Sequence, residues 1–145
     1  MAVIGPGEAS AAELEAAERA GRALAAAGAV LVCGGLGGVM EAACRGARSA
    51  GGTTLGLLPG AERAQGNPYL DVAVPTGLGE ARNALVVRAA DAVVAIGGAY
   101  GTLSEIALAL KTRKPVTGVG TWEIEGVAAR ATPEEAVGEA LARLS

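Results

Sequence analysis

The stretch DAVVAIGGAYGTLSEIALALKT, residues 91 to 112, decides how this chain is read. From Ala92 to Ile96 it is apolar with no polar alternation, and a short continuous apolar run that ends in glycine reads as a strand buried on both faces. The glycine-rich corner Gly97-Gly98-Ala99-Tyr100-Gly101 follows, and a helical pattern opens at Thr102. A glycine turn running into a helix leaves backbone N–H groups pointing outward at the positive end of the helix dipole. Gly98, Ala99, Tyr100, Gly101 and Thr102 are therefore candidate phosphate-binding residues, with the Thr102 hydroxyl as a further donor. Thr102-Leu103-Ser104-Glu105 also has the spacing of a capping box, with Thr102 as N-cap and Glu105 reaching back to it. Tyr100 either covers the corner or lies against a ligand.

Working outward, the same alternation recurs. Apolar runs at 2–5, 29–33, 53–58, 71–75 and 115–119 read as strands. Helical patterns lie at 11–27 behind Ser10, at 38–50 up to Gly51-Gly52, at 80–90, and at 133–144 behind a second capping box with Pro133 at the first helical position. Buried strands alternating with helices imply an α/β fold, a doubly wound parallel sheet covered on both faces, in one three-layer domain spanning residues 1–145. In such sheets ligands sit outside the carboxyl ends of the strands, at a switch in strand order. Glycines cluster where three strands end: GPG at 5–7, GGLGG at 34–38 and GGAYG at 97–101. Gly34, Gly35 and Gly37 join the candidate ligand-binding set, and the segment 59–69 reads as a surface loop bordering the same edge.

Spacing excludes two familiar nucleotide sites. No G-x-x-x-x-G-K-[ST] is present, so there is no P-loop. The first corner has Ser10 where the dinucleotide fingerprint needs its third glycine, and no acidic residue ends the second strand to take a ribose diol, which argues against a nicotinamide dehydrogenase.

Composition narrows the chemistry further. The chain has 145 residues, 51% hydrophobic and 19% charged, with a net charge of -3. That is globular rather than disordered, and it offers no basic field for a nucleic-acid backbone. With no histidine, a serine–histidine triad and the usual zinc sites are excluded, and no metal site is expected. The longest apolar run, 23–33, is too short to span a bilayer and lacks a positively charged preceding region, so a cytoplasmic protein with no membrane partner is expected. Cys33 and Cys44 then read as buried free thiols. Lys111 and Lys114, the only lysines, read as charges at a helix C-terminus.

The segment EARNALVVRAADAVVAI followed by GGAYGTLSE resembles the LONELY GUY-like family, whose pattern is P-G-G-x-G-T-x-x-E after an arginine–lysine pair. VLVCGGLGGVMEAACRGARSAGGTTLGLLPG is similar to the same family's second strand and helix, so the resemblance covers roughly residues 2 to 119. The short length is closest to the branch containing molybdenum-cofactor carrier proteins. This resemblance implies a Rossmann-like fold, a homodimer or homotetramer, and a site for a nucleoside monophosphate such as AMP or for a molybdopterin-type cofactor, bound as a ligand with no required cofactor. In the hydrolytic branch it implies a phosphoribohydrolase cleaving the N-glycosidic bond of a cytokinin or adenosine 5′-monophosphate, with Arg82 and Glu105 as the catalytic pair. Four positions depart from the pattern: Gly97 replaces the proline, Ala99 the second glycine, Ser104 an acidic residue, and Asn83 the lysine. The label of lysine decarboxylase sometimes given to the family does not fit, since a pyridoxal enzyme needs a Schiff-base lysine.

Overall fold

A computed structural model of the chain describes residues 1–144; Ser145, the last residue of the expected domain, lies outside them. The strands are β1 (Ala2–Ile4), β2 (Leu31–Cys33), β3 (Thr54–Leu58), β4 (Val72–Pro75), β5 (Val93–Ile96), β6 (Val116–Val119) and β7 (Val127–Ala129). The helices are α1 (Ala11–Ala26), α2 (Val39–Ser49), α3 (Arg82–Ala89), α4 (Tyr100–Lys111) and α5 (Pro133–Ala142). Single 3-10 turns lie at Arg63–Gln65 and Gly79–Ala81.

Among the described residues the sheet has seven strands in the order β4-β3-β2-β1-β5-β6-β7, and each neighbouring pair is parallel. This is the Rossmann-like, doubly wound α/β fold expected from the sequence. The chain winds one way from β1 to β4, then returns to lay β5 against β1, in register Ala2↔Val93, Val3↔Val94 and Ile4↔Ala95. The crevice beyond the ends of β1 and β5 is the switch point at which such sheets bind ligands.

The continuous apolar runs are explained by cover on both faces. Val3, Leu31, Cys33, Val94 and Ile96 turn toward α1, α2 and α5, while Ala2, Ile4, Val32, Val93 and Ala95 turn toward α3 and α4. Helices α1 and α2 approach until a Cβ at Gly21 would collide with the Ala43 carbonyl and one at Gly46 with that of Glu18, which is why glycine stands at both places. Ser10, read as preceding α1, caps it in a capping box with Glu13, and Thr132 Oγ1 accepts from Glu135 N ahead of Pro133. No helix among the described residues is long and apolar enough to cross a membrane.

Three details differ from the sequence reading, and the loop 59–69 borders the cleft at Pro59 as read. Strand β7 was not anticipated, because Val127-Ala128-Ala129 is too short to show a period. Helix α4 starts at Tyr100 with Ala99 as N-cap and has no side-chain cap, so the Thr102–Glu105 capping box does not form. Both residues are buried and turn inward instead. Lys114 caps the end of α3 rather than its own helix α4: Nζ donates to the carbonyls of Val87 at 2.5 Å, Arg88 at 3.0 Å, and Ala90. The segment 59–69 is tied down by Asn67, whose N–H donates to Gly35 O and whose Nδ2 donates to Leu36 O, at 2.9 and 3.0 Å.

Candidate functional site

A cleft of about 450 Å³ opens at the switch point, walled by the Gly5-Pro6-Gly7 corner, by Arg82 and Asn83 of α3, and by Ala99, Gly101, Thr102 and Glu105 around the start of α4. Residues far apart in sequence meet here because β1 and β5 end side by side. Ala99, Gly101 and Thr102, named from sequence, line the cleft. The N–H groups of Tyr100, Gly101 and Thr102 belong to the first turn of α4, where a helix offers no acceptor of its own.

The side chains deep in the cleft are polar and buried. Arg82 is 8% exposed, Glu105 6% and Thr102 2%. Arg82 Nη1 donates to Asn83 Oδ1 at 2.5 Å, but its Nε has no partner, and neither does the Thr102 hydroxyl. Burial lowers the guanidinium's pKa, while Glu105 and then Cys33 act to raise it; an arginine still keeps its charge. Burial pushes the Glu105 carboxyl up to about 7, with Arg82 pulling the other way. The cleft therefore presents a fixed cation, an idle hydroxyl, a helix N-terminus and a carboxyl able to change protonation near neutrality.

The structure gives physical reasons for two of the departures from the family pattern. Gly97 has φ +68, which proline cannot adopt. A Cβ there would also collide with Glu13, which sits against the corner. Asn83, in place of lysine, supplies the acceptor that holds the Arg82 guanidinium; an ammonium could only donate.

The second glycine corner acts from behind. Gly34 lies against the Arg82 guanidinium. Gly35 has φ +78 and donates to Cys33 Sγ at 3.3 Å. Gly37 lies near Gly7, and the first free N–H of α2, that of Val39, is taken by Pro6 O at 3.0 Å. That N–H of α2 is thus taken by protein, and Gly34, Gly35 and Gly37 stand behind or beside the cleft rather than in its lining. Cys33 and Cys44 are free and buried as expected, with Sγ atoms 3.5 Å apart, and the Cys44 thiol is held protonated by that contact and by burial. Gly98 packs against Trp122, whose indole N–H donates to Ala99 O at 3.2 Å, and Tyr100 is 83% exposed.

Sequence reasoning left Gly5, Pro6, Gly7 and Asn83 out of the site. GPG had been noticed as a strand-end glycine cluster, and Asn83 stands next to Arg82, so both carried a local signal. Leu36 lies within the GGLGG cluster and Pro59 opens the loop read as bordering the same edge, whereas Met40 and Glu80, which also line the cleft, carried no signal.

Fold and cleft together define a Rossmann-like protein with a cleft at its switch point. The chain belongs to the SLOG cluster4 family, which it matches over residues 1–142. It is similar to an uncharacterized protein of Archaeoglobus fulgidus, 44% identical over 138 residues, covering 94% of this chain and 91% of that one. Two solved structures are also similar. The molybdenum cofactor binding protein of Rippkaea orientalis superposes with a TM-score of 0.94 at 37% identity, over 99% of this chain and 96% of that chain. The molybdenum cofactor carrier protein of Chlamydomonas reinhardtii superposes with a TM-score of 0.89 at 35% identity, over 99% and 95%. The resemblance to the molybdenum-cofactor carrier branch is borne out.

Proposed function

We propose that this protein binds a phosphorylated small molecule in the switch-point cleft, a molybdopterin-type cofactor foremost and a nucleoside monophosphate such as AMP next. The observation that carries the reading is the pair of buried donors without partners, Arg82 Nε and Thr102 Oγ1, on the wall of the cleft beside the α4 N-terminus. A buried donor left unpaired costs about 1–3 kcal/mol. A phosphate group would accept from both and from the backbone of the first α4 turn, and its charge is favoured at that helix end. The solved relatives that bind or carry molybdenum cofactor support this ligand class, with the metal entering as part of the cargo.

The test is calorimetric titration with phosphate, AMP and molybdenum cofactor, in wild type and in Thr102→Val and Arg82→Ala. Binding in wild type that weakens in both variants supports the reading; no binding of any phosphorylated ligand sinks it.

A second reading, hydrolysis of a nucleoside 5′-monophosphate to base and ribose 5-phosphate, draws on Glu105, whose carboxyl near 7 suits a general base for water. Arg82 would bind a hydroxyl or the leaving base. Release of free base from AMP that disappears in Glu105→Gln would favour it; AMP binding with no release leaves the carrier reading.

Self-association belongs to the same proposal. Val72 and Val74 pair in register with Leu55 and Leu57, which pack on the α3 side of the sheet, so all four turn to one face. Val72, Val74, Leu78 and Leu85 are exposed beside α3, at the edge where the cover of helices ends. A second copy of the chain on that patch would bury it.

A further inference from the structure

Next to the cleft lies a second hollow, of about 500 Å³, between the starts of α3 and α4. The two share Glu80, Asn83 and Gly101, so they adjoin, and the partnerless donors belong to residues of the first. Tyr100 borders the second, as do Ala81 and Ala84. Although 83% exposed, its ring is held against Trp122, with centroids 6.1 Å apart and planes at 26°. Trp122 is fixed in turn by its hydrogen bond to Ala99 O, within the glycine corner itself.

Only three aromatic residues occur in the chain, Tyr69, Tyr100 and Trp122. Two of them, Tyr100 and Trp122, are stacked on each other, and Tyr100 lines the second hollow. An exposed ring with one face toward a neighbouring ring leaves its other face free for stacking. Charge distinguishes the two hollows as well. Arg82 lines the first, whereas the Glu80 carboxylate, shared by both, is unfavourable for an anion and suited to the N–H groups of a ring.

We infer that the second hollow is the ring subsite: a planar amino-substituted heteroaromatic group of the ligand lies there against Tyr100 while its phosphate occupies the Arg82–Thr102 cleft. This rests on the reading of the cleft as a phosphate site and specifies which phosphate esters the protein holds. Those with a flat ring, a purine or a pterin, are kept; sugar phosphates without one are held only by the anion end.

The test compares AMP with ribose 5-phosphate by calorimetry, reading the ratio of their dissociation constants. Trp122, the only tryptophan, reports on the stacked pair by fluorescence. Wild type should bind AMP roughly fivefold or more tighter than ribose 5-phosphate, the range of one base stacked on an aromatic side chain. Its fluorescence should change with AMP and far less with ribose 5-phosphate. Tyr100→Ala, and Ala84→Leu filling the hollow, should bring the ratio near one, while Tyr100→Phe keeps it. A wild-type ratio near one, or a ratio that survives Tyr100→Ala, overturns the inference while leaving the phosphate cleft standing. If Ala84→Leu changes the sedimenting mass but not the ratio, the hollow is a contact between copies and the inference is overturned. If neither ester nor inorganic phosphate binds, the cleft assignment itself falls and takes this inference with it.

Discussion

The Arg82 guanidinium lies so close to the backbone of Gly34 that a Cβ at that position would stand 2.5 Å from Nη1 and 2.7 Å from Cζ. Glycine at the end of β2 thus makes room for the cation of the cleft. Gly34→Ala should push Arg82 out of place without disturbing the sheet. Phosphate affinity should then fall by roughly tenfold or more, since a hydrogen bond to a charged group contributes about 1.5–3 kcal/mol. Titration calorimetry measures this, with far-UV circular dichroism confirming the fold. Unchanged affinity would show that Arg82 does not hold the anion.

Glu105 gives the stability curve a recognisable segment. Its carboxyl titrates at about 7 in the folded chain against 4.5 as an ordinary glutamate, so the folded state holds the proton more tightly. The stabilisation is therefore complete below about pH 4.5 and lost as pH rises through about 7. It amounts to something on the order of 3 kcal/mol. Urea unfolding of wild type and Glu105→Gln between pH 4.5 and 8 should show this decline in wild type alone. Parallel curves would place the Glu105 titration elsewhere.

Lys114 closes the last turn of α3 through three carbonyls. Lys114→Met keeps the stem and removes the donors, and should lower unfolding free energy by about 1–3 kcal/mol. The readout is a shift of the urea midpoint at constant slope. A midpoint within experimental error of wild type would mean that water replaces the ammonium at no cost.

The apolar patch on the β4 edge predicts a sedimenting mass above the 14.1 kDa of one chain. Placing charge in its centre with Val74→Lys and Leu85→Lys should give a single-chain species. A wild type that is already monomeric at micromolar concentration refutes the assembly. An oligomer that survives both lysines moves it to another face.

Much of the architecture was legible because it depends on local pattern. The run Val93–Ile96, unbroken by polar residues, belongs to a strand covered on both sides, and Ser10 and Thr132 mark helix starts through hydrogen bonds made within three residues. The order of the strands, the return of β5 to β1 above all, is a matter of long-range packing. So is β7, three residues long, which exists because Val116, Thr117 and Gly118 of β6 offer it a free edge.

The candidate site divides along the same line. The sequence by itself determined a doubly wound α/β chain and the glycine corner before α4 with Thr102, because each follows from local pattern, while Arg82 and Glu105 were marked as a pair through the resemblance to the LONELY GUY-like family. It could not decide between two fates for Thr102 and Glu105, since the capping box and the buried cleft use the same residues at the same spacing. Tertiary structure decided that. With α4 starting at Tyr100, Thr102 and Glu105 fall on the helix face that turns inward, and α3 brings Arg82 in beside them over Gly34. Likewise only the packed fold gives the Val39 N–H at the start of α2 to Pro6 O and sets Asn83 as the acceptor for Arg82. The physical reason is that a motif fixes which donors a segment carries, whereas burial and the neighbours supplied by distant segments fix which of those donors remain unpaired.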